Sequence, residues 1–192
     1  MENQWKKDMR KKILNTRNNM KNADVNEKSN KIISTIKKLK EFKEGSNIMV
    51  YLSFNNEVNS FPLIEYCKKK GKKVIIPYCK KKGKEIIPTE LKNMDLELKK
   101  SSFGYLEQKP EFLRPIDMEK IDLIIIPGIG FDKKCYRLGY GAGYYDRFLA
   151  RLNFKIPTIG VCYDYQILDA IMTEDFDIPM DYIVTEKRII VR

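Results

Sequence analysis

Hydrophobic residues recur along the chain with two periods, one near 3.6 and one near 2, and the two alternate. Residues 4–20 are charged and free of Gly and Pro, and Trp5, Met9, Ile13 and Leu14 fall near helical spacing, which predicts a helix. Asp24 followed by Glu27 resembles a capping box, and Ile32, Ile33, Ile36 and Leu39 share one face, so a second helix is expected to end near Gly45. Residues 47–52 are short and rich in β-formers and read as a first strand. Ser60 is expected to cap the next helix, with Pro62 in its first turn and Gly71 at its end. A strand over 73–77, a turn from Lys80 to Gly83 and a short antiparallel segment over 85–88 come next. The nearly continuous apolar run 121–126, closed by Pro127 and Gly128, has the composition of a strand covered on both faces. Beyond it the pattern predicts a helix over 142–152, a strand over 158–161, a helix over 166–172, and terminal strands over 182–184 and 189–191. Alternating strands and helices imply a three-layer α/β/α sandwich around a mainly parallel sheet, a single domain spanning 1–192.

Composition narrows what this fold does. With 43% hydrophobic and 11% aromatic residues the chain carries enough apolar surface to fold unaided. No run approaches the roughly 20 apolar residues that span a bilayer, and the first residues are polar with no apolar signal region, so a cytoplasmic protein with no membrane partner is expected. Cys67, Cys79, Cys135 and Cys162 form no close pair and read as reduced thiols. Histidine is absent, which removes Ser-His-Asp and Cys-His nucleophile systems, His-ligated zinc and an imidazole base. Phosphoryl transfer suits the carboxylates, Lys, Arg and Tyr that remain, because it depends mainly on positioning and charge stabilisation. The net charge of +11 invites a nucleic-acid reading, but the lysines are spread in short runs as on a solvated surface, and no nucleic-acid partner is expected.

Ligands of such folds gather at the carboxyl ends of the parallel strands. Two of the loops there are unusual: residues 53–57 after the first strand, and residues 127–146, with five glycines between Gly128 and Gly143. Gly139, Gly141 and Gly143 alternate just before a helical stretch, a pattern that lets backbone approach an anion at a helix start, although a tight structural turn explains glycines alone equally well. It is neither a Walker A nor a Rossmann spacing. Arg137 adds a planar fork of donors, Tyr144 and Tyr145 add ring faces, and Asp146 falls in the first helical turn. An isolated Asp there would complement the helix dipole. Beside a phosphate its charge calls for an intervening magnesium ion.

The segment Pro127-Gly128, Phe131-Asp132 and 137–149 resembles the hallmark segment of 5-formyltetrahydrofolate cyclo-ligases. Lys6 to Arg10, Leu52 with Asn56 to Val58, Lys72 to Pro77, Phe103-Gly104 with Glu107, and Phe176 to Asp181 followed by Thr185-Glu186 are similar to that family as well, while Cys135 stands where the family often has Gly. The resemblance implies ATP- and Mg2+-dependent closure of 5-formyltetrahydrofolate to 5,10-methenyltetrahydrofolate by an enzyme expected to be a monomer. It further implies that Lys6, Arg10, Arg137, Leu138, Gly139, Tyr140, Gly141, Ala142, Gly143, Tyr144 and Tyr145 hold ATP. Leu52, Glu57 and Tyr140 to Tyr144, that is Tyr140, Gly141, Ala142, Gly143 and Tyr144, would hold the folate. Asp146 and Asp177 would hold the metal, and Arg137, Tyr144 and Asp146 would act in catalysis. An RNA-binding accessory protein and a sugar-phosphate isomerase are the competing readings, and neither requires ATP turnover with folate.

Overall fold

The computed structural model describes residues 4–80, 82–102 and 104–192; Phe103 of the family resemblance and Lys81 of the expected turn lie outside the described residues. In chain order the elements are α1 (Gln4–Asn18), α2 (Asn22–Ile36), α3 (Lys40–Glu44), β1 (Asn47–Val50), α4 (Phe61–Lys69), β2 (Lys73–Lys80) and β3 (Glu85–Glu90). Then come α5 (Met94–Glu97), β4 (Leu98–Lys100), β5 (Leu106–Gln108), β6 (Leu123–Pro127), β7 (Gly130–Asp132), β8 (Arg137–Leu138) and α6 (Tyr144–Ala150). The chain closes with β9 (Thr158–Val161), β10 (Ile167–Leu168), β11 (Tyr182–Val184) and β12 (Ile189–Val191).

The main sheet has seven strands in the order β12-β11-β9-β6-β1-β2-β3. The inner strands pair in parallel, with Ile48 opposite Val74 on one side and Leu123 on the other, and the antiparallel strands β3 and β12 close the two edges. Alternation of side chains across the pleat divides the core between the two faces. Ile48, Val50, Leu123 and Ile125 point to the face covered by α2, α3 and α4, through Ile32, Ile36, Phe42 and Leu63. Met49, Ile124 and Ile126 point to the other, where Phe148 and Leu149 of α6 and Phe131 of β7 cover them. The expected α/β sandwich with a mainly parallel sheet is therefore the observed architecture.

A small sheet, β10-β7-β8, sits on that second face, and α1 packs Ile13 against Leu138 of β8 and Ile129 just before β7. Asp132 shapes the turn between β7 and β8: its Oδ1 accepts from the backbone N–H groups of Lys134 and Tyr136 at 2.9 Å each, and its Oδ2 from that of Ile171 at 3.0 Å. Within the turn Cys135 has φ +66°, a left-handed conformation that favours Gly.

Five local expectations are corrected. The second helix breaks after Ile36, and Leu39 instead leads into α3. α2 starts at Asn22, which puts Asp24 inside its first turn, and no side chain caps it. Ser60 does not cap α4, because its Oγ donates to Tyr51 O at 2.7 Å and accepts from Ser53 N at 3.1 Å. The helix expected over 166–172 is a 3-10 turn at Asp164–Gln166 followed by β10. There the buried Gln166 Oε1 accepts from Tyr163 N at 2.8 Å while its Nε2 donates to Ile129 O at 2.7 Å, and Ile167 pairs with Phe131. These nonlocal bonds outweigh helical propensity. The run 121–126 becomes strand only from Leu123, because Asp122 Oδ2 accepts from Ser46 N and Asn47 N at 2.8 Å each.

Candidate active site

The loop leaving β1 meets the glycine-rich segment 137–146 beside the end of α1, where Tyr140 touches both Glu57 and Arg17. Two glycines have a spatial reason: a Cβ on Gly139 would lie 2.5 Å from Arg137 Nη1, and Gly143, at φ +66° before α6, would bring one 2.9 Å from Arg147 Nη1. Both guanidinium groups therefore fold back over the segment. Arg137, its side chain 7% exposed, donates from Nη2 to Asp146 Oδ1 at 2.8 Å and lies 5.3 Å from the Tyr145 ring centroid. Arg147 donates from Nη2 to Ala142 O at 2.5 Å and from Nε to Lys84 O at 3.2 Å. Arg10 reaches down from α1 to donate from Nε to Gly139 O at 2.6 Å. α6 is shorter than the helix expected over 142–152.

The other end of the segment is a buried acid. Glu57, 6% exposed, accepts from the Tyr140 hydroxyl at 2.9 Å on Oε1 and from Phe54 N at 3.2 Å on Oε2. Arg17, the last buried residue of α1, donates to the same Tyr140 hydroxyl and places Nη1 3.9 Å from Glu57 Oε1. The loop is fixed to the helix end by Asn56, whose Nδ2 donates to Arg17 O at 3.0 Å and Met20 O at 3.1 Å; Asn55 and Asn56 are both left-handed, which Asn tolerates. Tyr163 holds the loop from below by donating to Glu57 O at 3.1 Å. Burial pushes the Glu57 carboxyl above its ordinary value of 4.5, and the charge of Arg17, the Tyr140 hydroxyl and the Phe54 N–H oppose it. Burial likewise raises the Tyr140 and Tyr145 phenols, so both remain hydrogen-bond donors at neutral pH. The Phe54 ring stands 6.0 Å from Tyr140 and 5.9 Å from Tyr105, an aromatic wall beside the acid.

Of the residues singled out from the sequence, Arg137 meets Asp146, Tyr140 meets Glu57 and Arg10 meets Gly139. Lys6 pairs with Asp177 at 3.5 Å and Glu174 at 3.2 Å. The side chain of Leu138 is committed to the core, and Leu52 packs against the first-face cluster. Tyr144 lies half-buried with Arg147 5.9 Å from its ring centroid. The two carboxylates expected to bind metal each face a different cation, and no group of three or more acidic or thiol side chains is placed to hold a metal among the described residues. Arg17, Arg147 and Phe54 were missed. Arg17 had a signal, since it lies seven residues after Arg10 and so shares its helix face.

Comparison with known proteins places the chain in a family. The chain is 28% identical over 182 residues to the 5-formyltetrahydrofolate cyclo-ligase of Haemophilus influenzae, covering 94% of this chain and 97% of the relative. It is 29% identical over 143 residues to that of Escherichia coli strain K12, covering 74% and 79%. The NMR structure of Aquifex aeolicus 5,10-methenyltetrahydrofolate synthetase superposes with a TM-score of 0.82 at 35% identity, over 97% of this chain and 92% of that one. The Mycoplasma pneumoniae 5,10-methenyltetrahydrofolate synthetase gives 0.76 at 27% identity, over 94% and 98%. The 5-formyltetrahydrofolate cyclo-ligase family model matches residues 2–186, and the chain belongs to that family.

Proposed function

We propose that the chain closes 5-formyltetrahydrofolate to 5,10-methenyltetrahydrofolate using ATP and magnesium, with release of ADP and phosphate. The observation that carries this reading is the double character of one short segment. Residues 137–146 meet Arg10, Arg137 and Arg147 along their length and a buried carboxylate, Glu57, through Tyr140. Phosphate oxygens suit the first environment. The pterin, whose ring N–H and amino group match a carboxylate bidentately, suits the second.

The formyl amide oxygen is a poor leaving group. Transfer of the γ-phosphoryl group onto it gives an iminium phosphate; N10 of the same folate attacks the formyl carbon and gives up its proton to the phosphate oxygens, and the C–O bond breaks as phosphate departs. Arg137 would present its fork to the transferred group, Lys6 and Arg10 would hold the remaining phosphates, and Tyr140 and Tyr144 would offer ring faces to the folate. Enclosing both partners supplies the proximity that ring closure needs. Two ion pairs, Arg137 with Asp146 and Lys6 with Asp177, each combine a cation for phosphate with a carboxylate for metal. One or two carboxylates beside phosphate oxygens is a donor set that magnesium accepts, and the ion would neutralise charge on those oxygens. Free cysteines at 67, 79, 135 and 162 support a reducing, cytoplasmic setting. A monomer acting on a small molecule accounts for these features, with no nucleic-acid or membrane partner.

Labelling the formyl oxygen with 18O tests the route. The label is expected in the released inorganic phosphate; unlabelled phosphate, with the label lost to water, would overturn phosphorylation of that oxygen.

A further inference from the structure

We propose that Arg17 is a positioning residue for the folate: acting through Tyr140, it holds Glu57 oriented and ionised for the pterin. The proposal rests on the folate reading of Glu57 given above. Arg17 is 1% exposed, and a buried guanidinium is costly unless it is well paired. Its pairing here is poor by the standard of a structural ion pair. It has no bidentate contact with the carboxylate, its Nη1 stops 3.9 Å from Glu57 Oε1, and its Nε is buried without a hydrogen-bond partner among the described residues. The direct hydrogen bond goes to the Tyr140 hydroxyl, which in turn donates to Glu57 at 2.9 Å.

This geometry makes sense if the carboxylate must keep lone pairs for a ligand. A fork-on-fork contact would occupy both oxygens in the plane that a pterin edge needs. Acting through a hydroxyl and at a distance, Arg17 supplies charge while leaving that plane open. Tyr140 is 47% exposed and belongs to the glycine-rich segment, so the intermediate group is the one that can adjust, whereas Arg17 is locked in α1. The other groups facing Glu57 carry no positive charge: the Phe54 N–H from its own loop, Tyr51 and Tyr163 beneath it, and Tyr145 from α6. Burial of Glu57 favours its protonated form, and Arg17 supplies the positive charge that opposes this.

The test is direct binding of 5-formyltetrahydrofolate without ATP across the acid-to-neutral range, to wild type, Arg17→Gln and Arg17→Lys, with ATP binding measured alongside. Gln removes the charge and, ending two bonds short of Nη2, also the direct hydrogen bond to Tyr140, whereas Lys keeps the charge. Arg17→Gln is expected to move the acid limb of folate binding up by about one pH unit, roughly tenfold weaker binding on that limb, with ATP affinity unchanged. Arg17→Lys should return the limb towards wild type. An acid limb that coincides with wild type in Arg17→Gln overturns the proposal even if the protein is less stable, because a purely structural arginine would lower stability without moving the limb. Should Arg17→Gln not fold, the 13C carboxyl signal of Glu57 in wild type decides, assigned through Glu57→Gln. Ionisation below neutrality supports the role, and a carboxyl still protonated at neutral pH overturns it. Failure of the wild type to bind the folate at all would instead sink the folate reading itself.

Discussion

Arg137 and Asp146 neutralise one another at 2.8 Å, and the carboxylate is also within the first turn of α6, so charge pairing, helix start and the proposed metal binding all fall on one side chain. Asp146→Asn keeps a hydrogen-bond acceptor but leaves a largely buried guanidinium without its counter-charge. We expect a stability loss of about 1–3 kcal/mol in denaturant titration, and a magnesium requirement at least about tenfold higher. Arg137→Lys keeps the charge and loses both the fork and the stacking on Tyr145, so turnover should fall about tenfold or more. A wild-type magnesium titration in Asp146→Asn would return the residue to a helix-start role. The sequence placed these residue types together because they lie within ten positions of each other. It could not separate Asp132 from Asp146, although one builds a turn with its backbone N–H bonds and the other faces an arginine. Nor could it tell that the face bearing Arg10 and Arg17 is covered, since what covers it, Gly139 and Tyr140, is more than a hundred residues away in the chain.

Among the elements, β6 was legible because an apolar run closed by Pro and Gly fits a strand buried on both faces, and α1 because Trp5, Met9 and Ile13 repeat at helical spacing. The segment 166–172 was misread because its conformation is set from outside. Gln166 looks like an ordinary helix former until its amide is seen bonded to Ile129 O and Tyr163 N. That residue ties the turn after β9 to the turn that carries β6 into β7, where Ile129 N in turn donates to Leu138 O at 2.9 Å. Gln166→Leu matches the volume but orphans buried backbone groups, and about 2–4 kcal/mol of stability should be lost. A urea midpoint with unchanged m-value measures it; a loss below about 0.5 kcal/mol would show that the turn does not depend on the amide.

Taken as a whole molecule, the chain spreads its +11 charge over a surface where lysines pair locally, as Lys31 does with Glu27 at 2.7 Å and Lys120 with Asp117 at 3.0 Å. Cavities of about 330 Å³ between α2 and α4 and about 540 Å³ beside β3 contain none of the proposed site residues. The proposed site lies instead where α1 closes on the glycine-rich segment. Lys6 reaches Asp177, Arg10 reaches Gly139 and Arg17 reaches Tyr140, so one helix spans the proposed ATP and folate sides of the site. No helix among the described residues is long and apolar enough to cross a membrane.

If one segment serves both ligands, neither half-reaction should run alone, and the most direct measurement follows methenyl absorbance and ADP together with 5-formyltetrahydrofolate, ATP and magnesium present. One ADP is expected for each ring closed, with no ADP formed when folate is omitted and no closure when ATP or magnesium is omitted. Closure without ATP, or ADP release that ignores the folate, would contradict a segment serving both ligands.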